Sequence, residues 1–403
     1  MPSPIRPGSF AFVLLVASLM TMSAMTIDIN LPAIPATAAD LGAAPATLQQ
    51  TVSMFFLGFA GGQAVYGSLS DRFGRKPVLI GGILLYVLSS LGCAAAGSAE
   101  TLLAMRLVQG LGAGSGPVLS RAIVRDLFQG PQMARLMSFA MAAFITAPMI
   151  APTIGTGILL IASWRWIFLF LAAYGAVLLV VTVVLVRESL ERPDPAALRP
   201  ASILGAWKAV LTHPESRLYG AIVTLVLSAL VIYLANSSAV FMLIHGFTAG
   251  QFALTFAGIA AGSALGNLLN ARLVHRQPLR RLIGIGLALC CLVLAGSMTA
   301  ELLGYANPWV LLPGFFGYFL AYGLIVSNSM ALALHPHGRI VGAASAALGV
   351  LQAAVPATLA GLVSAWGAAH PATPLPMLSA MLGLTLLAGL LMLLGNRQAS
   401  RNG

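Results

Sequence analysis

Apolar runs of about 20 residues, the length a helix needs to cross a bilayer, recur twelve times along the chain, each closed off by Pro, Gly or charged residues. The pattern predicts membrane-spanning helices at 10–35, 48–69, 77–98, 101–122, 133–160 and 164–186. A second set follows at 217–243, 249–271, 281–303, 308–332, 340–366 and 374–395. The longest polar gap, Arg187 to Arg217, divides them six and six, and contains ERPDP and RP, which break helices. It also contains ILGAWKAVL, in which Ile203, Leu204, Trp207, Val210 and Leu211 share one helical face. That face suits a helix lying on the membrane surface or one packed on the bundle. The two sets echo each other: GSLSDRFGRK at 67–76 follows the second span and NLLNARLVHR at 267–276 follows the eighth. The predicted fold class is an all-α polytopic membrane protein with twelve transmembrane helices in two six-helix pseudo-symmetric halves. The halves are residues 1–186 and 217–403, joined by a linker at 187–216 with an amphipathic helix. Such repeats are a transporter architecture, with the substrate site at the repeat interface.

Composition removes other classes. The chain is 59% hydrophobic and 8% charged, against roughly 25% charged in soluble domains. No soluble domain of ordinary size fits between the apolar runs. A net charge of +11 would suit nucleic acid if it were gathered in one block, but the basic residues are scattered through short loops, so no nucleic-acid partner is expected. Their distribution sets the orientation. With the N-terminus in the cytoplasm, 19 of the 21 Lys and Arg residues fall on the cytoplasmic side, from Arg6 through Arg199 and Arg339 to Arg397 and Arg401. Only Arg106 and Arg165 are left over. Cys93, Cys290 and Cys291 lie in apolar runs without metal-ligand spacing, and histidines such as His335 and His337 form no HExxH set. No metal site is expected.

The candidate chemistry lies in the residues that break the apolar pattern. Asp28 sits deep in the first span, where a carboxylate costs roughly 2.5–3.5 kcal/mol on insertion scales. Arg106 in span 4 is its counterpart. At ~1.5 Å per residue, Asp28 lies about 10 Å below a helix end near Pro35, and Arg106 about 8 Å below one near Thr101. The two share a level without direct contact being implied. Arg106, Gln109 and Ala113, at i, i+3 and i+7, share one helical face. The alternative is that Arg106 snorkels to the outer interface. Asp40, Glu100 and Glu301 fall at or beyond the outer surface, which leaves Asp28 as the one acid expected deep within a span. In the loop after span 2, Gly67 and Gly74 allow a tight turn. Asp71 there can pair with Arg75, Arg121 or Arg125, face the start of span 11 near Val341 and Gly342, or belong to a solvated charged turn. A cavity wall is sketched by Phe55 and Phe59, Gln109 and Ala113, Tyr233 and Asn236, Asn267 and Asn270, Asn328 and Gln352. Buried amides among aromatics suit a pocket for a lipophilic, partly polar solute, although helix packing accounts for each one singly.

These motifs carry a resemblance. GSLSDRFGRKPVL, Gly67 to Leu79, resembles the signature loop GxLaDrxGrkxxl of the major facilitator superfamily. The resemblance marks Gly67, Asp71, Arg72, Gly74, Arg75 and Lys76 as a conformational-switch loop. MRLVQGLGAGSGP, Met105 to Pro117, is similar to the RxxQGxGaa motif of its proton-coupled members. TIDINLPAIP in span 1, APMIAPTIGTGIL in span 5, SWRWIF opening span 6 and GAASAALGVLQAA in span 11 resemble the bicyclomycin/chloramphenicol-resistance branch of the twelve-span drug:proton antiporters. The resemblance implies a transporter rather than an enzyme. It would export lipophilic drugs or similar small molecules by alternating access, with Asp28 and Arg106 coupling substrate to protons. It further implies a monomer in the bacterial inner membrane with both termini cytoplasmic. Its partners would be a small lipophilic substrate, protons and the lipid bilayer, with the proton gradient as energy source and no cofactor. Two departures stand out. The span 5 motif GPxxGG reads Ala151, Pro152, Thr153, Ile154, Gly155, Thr156 here, and Met20 occupies a position where some relatives carry a second acid. The rival within transport is a proton-coupled exporter of a metabolite such as an amino acid, nucleoside or sugar. An intramembrane enzyme or receptor would need a nucleophile–base pair, paired metal ligands or a sizeable soluble domain, none of which the sequence offers.

Overall fold

The computed structural model describes residues 9–195, 197, 200–305 and 307–402, without the side chains of 134, 200–204, 206, 338–341 and 396–402. Every regular element among them is helical. The first half contains α1 (Phe10–Asp28), α2 (Ile34–Asp40), α3 (Pro45–Phe73), α4 (Arg75–Ala94), α5 (Ala99–Ala113), α6 (Ser115–Leu127), α7 (Gly130–Ile161) and α8 (Arg165–Leu185). After them come α9 (Pro200–Thr212), α10 (Pro214–Ser238), α11 (Ala249–Leu273), α12 (Leu279–Leu302), α13 (Pro308–Leu334), α14 (Val341–Ala368) and α15 (Leu375–Asn402).

Polar caps start several spans where the apolar runs begin. Ser98 accepts from the Thr101 N–H at 3.2 Å ahead of α5, and Asn307 from the Val310 N–H at 3.2 Å ahead of α13. Thr248 and Gln251 form a reciprocal capping box ahead of α11. Eleven of the described helices are long and apolar enough to cross a membrane. The remaining expected span, 101–122, is the pair α5 and α6. The glycine-rich stretch explains the interruption: the Ser115 hydroxyl donates to the Gly112 carbonyl at 2.7 Å and competes with the helical ladder there. Gly114 keeps right-handed helical angles (φ −59°, ψ −24°), so the hydrogen bonding is interrupted but the backbone conformation stays helical. The molecule is a multi-pass membrane protein.

Two compact units make up the chain, Met1–Ala43 with Met54–Leu204, and Ala44–Ser53 with Gly205–Gly403. In the first, Arg165 finds its reason at the start of α8. It pairs with Asp40, which also accepts from the Trp164 indole at 3.0 Å, and its other terminal nitrogen donates to the Ala96 carbonyl at 3.2 Å. One arginine thereby ties together α2, the segment after α4, and α8. The expected linker helix exists as α9. Val210 on it is buried and Leu211 exposed, while the side chains of Ile203 and Leu204 lie outside the described residues. So do Arg6, Arg199 and the side chains of Arg339, Val341, Arg397 and Arg401.

Candidate functional site

The site in the first unit begins with a broken helix. Pro32 has no N–H, so α1 cannot run on. The Ile29 N–H still reaches the Met25 carbonyl at 3.1 Å, but the Asn30 N–H turns to Ile27 at 3.2 Å rather than to Thr26. The Thr26 carbonyl thus loses its helical donor, and Arg106 Nη1 takes its place at 3.4 Å. Asp28 is the last residue of α1, two positions further on, and is 3% exposed. Among the described residues no hydrogen bond or ion pair is made to its carboxyl group.

Arg106 itself is fully buried. Its Nη1 also donates to Gln109 Oε1 at 2.7 Å, and Gln109 Nε2 donates to Ser90 Oγ at 2.8 Å. The Ser90 hydroxyl donates to the Tyr86 carbonyl at 2.7 Å. Thr26 donates to the Met22 carbonyl, which leaves the Tyr86 hydroxyl as the donor in the 2.7 Å contact between Tyr86 and Thr26. The guanidinium lies over Phe55 at 4.8 Å and Phe168 at 5.9 Å, an attractive arrangement for a cation on an aromatic face. Five helices, α1, α3, α4, α5 and α8, therefore hold one arginine. Gly110 lets α5 come this close: a Cβ there would lie 2.0 Å from the Phe55 carbonyl oxygen. Gly155, the glycine retained in the altered span 5 motif, does the same for α7 against the Ile29 carbonyl, also at 2.0 Å. Small residues at helix contacts are the usual means of close approach in membranes.

Of the residues that sequence reasoning singled out, the structure brings Arg106, Gln109 and Phe55 into contact, with Phe59 stacked on Phe55, while Asp28 lies two residues along α1 from the Thr26 carbonyl that Arg106 meets. Phe55 stacks on half-buried Phe59 with centroids 6.4 Å apart. Gln109 and Ala113, expected on a cavity wall, are fully enclosed. Gln109 is a positioning residue for Arg106. Thr26, Tyr86, Ser90 and Phe168 were not singled out. Tyr86 and Ser90 did leave a signal, as polar groups four apart on one face of an apolar span.

The loop between α3 and α4 is a second charged cluster. Gly74 has φ +100°, a conformation open to glycine. Arg75, 4% exposed, pairs with Asp71 and with Asp126 at 2.9 Å, and donates to Ser70 at 2.7 Å. Of the partners considered for Asp71, Arg75 is the one it meets in this unit; Arg121 donates to the Pro117 carbonyl instead. Glu188 accepts from the backbone N–H groups of Arg75 (2.9 Å) and Lys76 (3.1 Å), placing a carboxylate at the N-terminus of α4. Lys76 Nζ donates to the Val183 carbonyl at 2.9 Å. Glu188 and Asp126 were not foreseen, because nothing local in the sequence ties them to this loop.

In the second unit the candidate residues fall into separate places. Tyr233 is enclosed by Phe315 (4.9 Å), Phe319 (5.2 Å) and Phe256 (6.0 Å). Asn236 accepts from Ser364 at 3.3 Å. Asn328 and Asn270 exchange amide hydrogen bonds at 2.7 and 3.5 Å, joining α11 to α13. Asn267 donates to the Ser263 carbonyl on its own helix at 2.8 Å. Half-buried Gln352 points at the Met330 sulfur, 3.4 Å away.

Comparison with known proteins accords with this architecture. The sequence profile described as Major Facilitator Superfamily matches residues 15–361. The "Bicyclomycin resistance protein homolog" of Haemophilus influenzae is 28% identical over 359 residues, 89% of this chain and 90% of that protein. The "Multidrug resistance protein MdtL" of Shewanella oneidensis is 30% identical over 348 residues, 85% of this chain and 86% of that one. Among solved structures, a D-xylose-proton symporter superposes with a TM-score of 0.74 at 18% identity, covering 95% of this chain and 97% of its own; at that identity the likeness concerns the fold alone. The chain belongs to the major facilitator superfamily of membrane transporters.

Proposed function

We propose that this transporter is a proton-coupled antiporter that exports lipophilic drugs or similar small molecules by alternating access. The observation that carries the proposal is Asp28: a carboxyl group 3% exposed, without a protein partner among the described residues, at a helix break whose freed carbonyl anchors a buried arginine. Charging such a group inside a membrane is costly, and buried polar groups are normally partnered. A carboxyl left unpartnered is suited to exchange its proton for substrate. Arg106, anchored on the Thr26 carbonyl two residues before Asp28 along α1, would be the residue that responds to that change of charge. The printed names of the two relatives, a bicyclomycin resistance homologue and a multidrug resistance protein, support a lipophilic drug as cargo. With Met20 in place of a second acid, this site carries at most one proton per cycle, so neutral substrates would move electrogenically. The reading places a monomer in the bacterial inner membrane, with both termini cytoplasmic and the proton gradient as the sole energy source.

The test is transport by the protein reconstituted in liposomes under an imposed pH gradient, with a panel of lipophilic antibiotics beside amino acids, nucleosides and sugars. Asp28→Asn abolishes uphill transport and leaves downhill exchange; Asp28→Glu retains part of the uphill rate. Wild-type uphill rates in Asp28→Asn would remove Asp28 from the mechanism. A gradient-driven rate for a metabolite and none for any drug would replace the cargo.

A further inference from the structure

We infer that the groove between α12 and α15 holds one anionic phospholipid, with its phosphate on Arg281 and an acyl chain along the helices below. The groove has a volume of about 850 Å³ and is lined by Gly284, Ile285, Ala288 and Cys291 on α12 and by Leu386 and Gly389 on α15. A Cβ added at Gly284 or Gly389 would meet nothing within 4 Å, so open space lies against both glycines. Ile285 and Leu386 on its walls are 49% and 53% exposed. These apolar side chains line a groove that only lipid or another apolar surface can fill.

The charge at its mouth selects among lipids. Arg280 and Arg281 stand together at the start of α12, but they are not equivalent. Arg280 pairs with Glu215 at 2.6 Å and lies over Tyr219 at 6.0 Å. The side-chain hydrogen bond of Arg281 goes to the neutral amide of Gln277 at 3.0 Å, and no carboxylate among the described residues forms an ion pair with it. One guanidinium charge therefore remains unbalanced at the groove's end, and a guanidinium matches a phosphate in charge and geometry. Basic pockets between spanning helices are known to take anionic headgroups.

Length fits as well. Cys291 is ten residues beyond Arg281, or ~15 Å along a helix, half of a hydrocarbon core of about 30 Å. The groove is one leaflet deep, the reach of one acyl chain whose headgroup sits at the arginines.

Native mass spectrometry of the full chain, with phosphatidylglycerol or phosphatidylcholine of matched acyl chains, tests the assignment. Phosphatidylglycerol should be retained about fivefold better, the gain expected from one arginine at an anionic surface. Arg281→Gln should bring it to the phosphatidylcholine level, whereas Arg276→Gln, outside the groove, should leave the preference in place. Ala288→Trp fills the groove and should lower retention of both lipids; if that variant does not fold, the Arg281→Gln comparison decides alone. Equal retention of the two lipids, or a preference that survives Arg281→Gln, would overturn the inference. So would light scattering that shows Ala288→Trp dissolving a dimer without altering lipid retention, which would assign the groove to a second copy of the chain.

Discussion

Gln109→Leu removes the residue that fixes Arg106 at nearly constant volume. Its amide oxygen accepts from the guanidinium at 2.7 Å and its amide nitrogen donates to Ser90 at 2.8 Å, both within an enclosed interior. Ser90 keeps its own acceptor, the Tyr86 carbonyl, so on that side only one neutral bond is lost, about 0.5–1.5 kcal/mol. On the other side a charged donor loses an acceptor at 2.7 Å, which contributes about 1.5–3 kcal/mol. The Phe55 face remains beneath the guanidinium but supplies no directed acceptor. Together the substitution should destabilise the protein by about 2–4.5 kcal/mol, read as a lower thermal unfolding midpoint of the purified protein. Gln109→Glu is the informative partner. It restores an acceptor in the same place, in charge-assisted form, so stability should return. It also neutralises Arg106, so uphill transport in liposomes should stay well below wild type. Wild-type stability in Gln109→Leu would show that Gln109 does not hold Arg106. A fully active Gln109→Glu would show that the charge on Arg106 is not used.

Gly155→Ala should destabilise by about 1–3 kcal/mol, because its methyl group would sit 2.0 Å from the Ile29 carbonyl; Gly157→Ala, with nothing within 4 Å, should melt like wild type. Glu188→Gln should cost about 0.3–1 kcal/mol by removing a charge from the N-terminus of α4, and the difference between the two melts should shrink in high salt. A periplasm-active reporter inserted at Gly97–Ser98 should be active and one in the Arg272–Arg276 loop inactive; the reverse pattern would overturn the orientation drawn from the arginines.

Much of this was legible because a membrane imposes a strong filter on sequence. Every backbone polar group in lipid must be satisfied within its own segment, so span length and breaks show directly as apolar runs and their punctuation. The same filter made Asp28 and Arg106 conspicuous. Span 4 was harder to read. Composition marks its 101–122 stretch as apolar, but the competition between the Ser115 hydroxyl and the helical ladder at Gly112 is a matter of local geometry. The cavity residues were least legible. Gln109 and Tyr233 satisfy the same sequence criterion, a polar group on an apolar helix, yet one anchors an arginine and the other is enclosed by three phenylalanines. Telling a positioning residue from a lining residue requires knowing which helices are neighbours. The same holds for Glu188, which lies 113 positions from the Arg75 N–H that it accepts.

The contrast between the two buried charged residues is itself an argument about coupling. A guanidinium bonded directly to the Asp28 carboxylate would hold that group charged, and breaking a buried pair typically costs 3–5 kcal/mol. A site that must take up and release a proton in every cycle would work against that barrier. Here α1 ends before Pro32, the Asn30 N–H turns to Ile27, and the freed Thr26 carbonyl, a neutral oxygen, receives the arginine together with Gln109. Arg106 thereby meets α1 at the Thr26 carbonyl, two residues before Asp28, while the Asp28 carboxyl group stays without a protein partner among the described residues. On the proposed mechanism, this division of labour lets one buried acid change protonation state without dismantling the network that positions its countercharge.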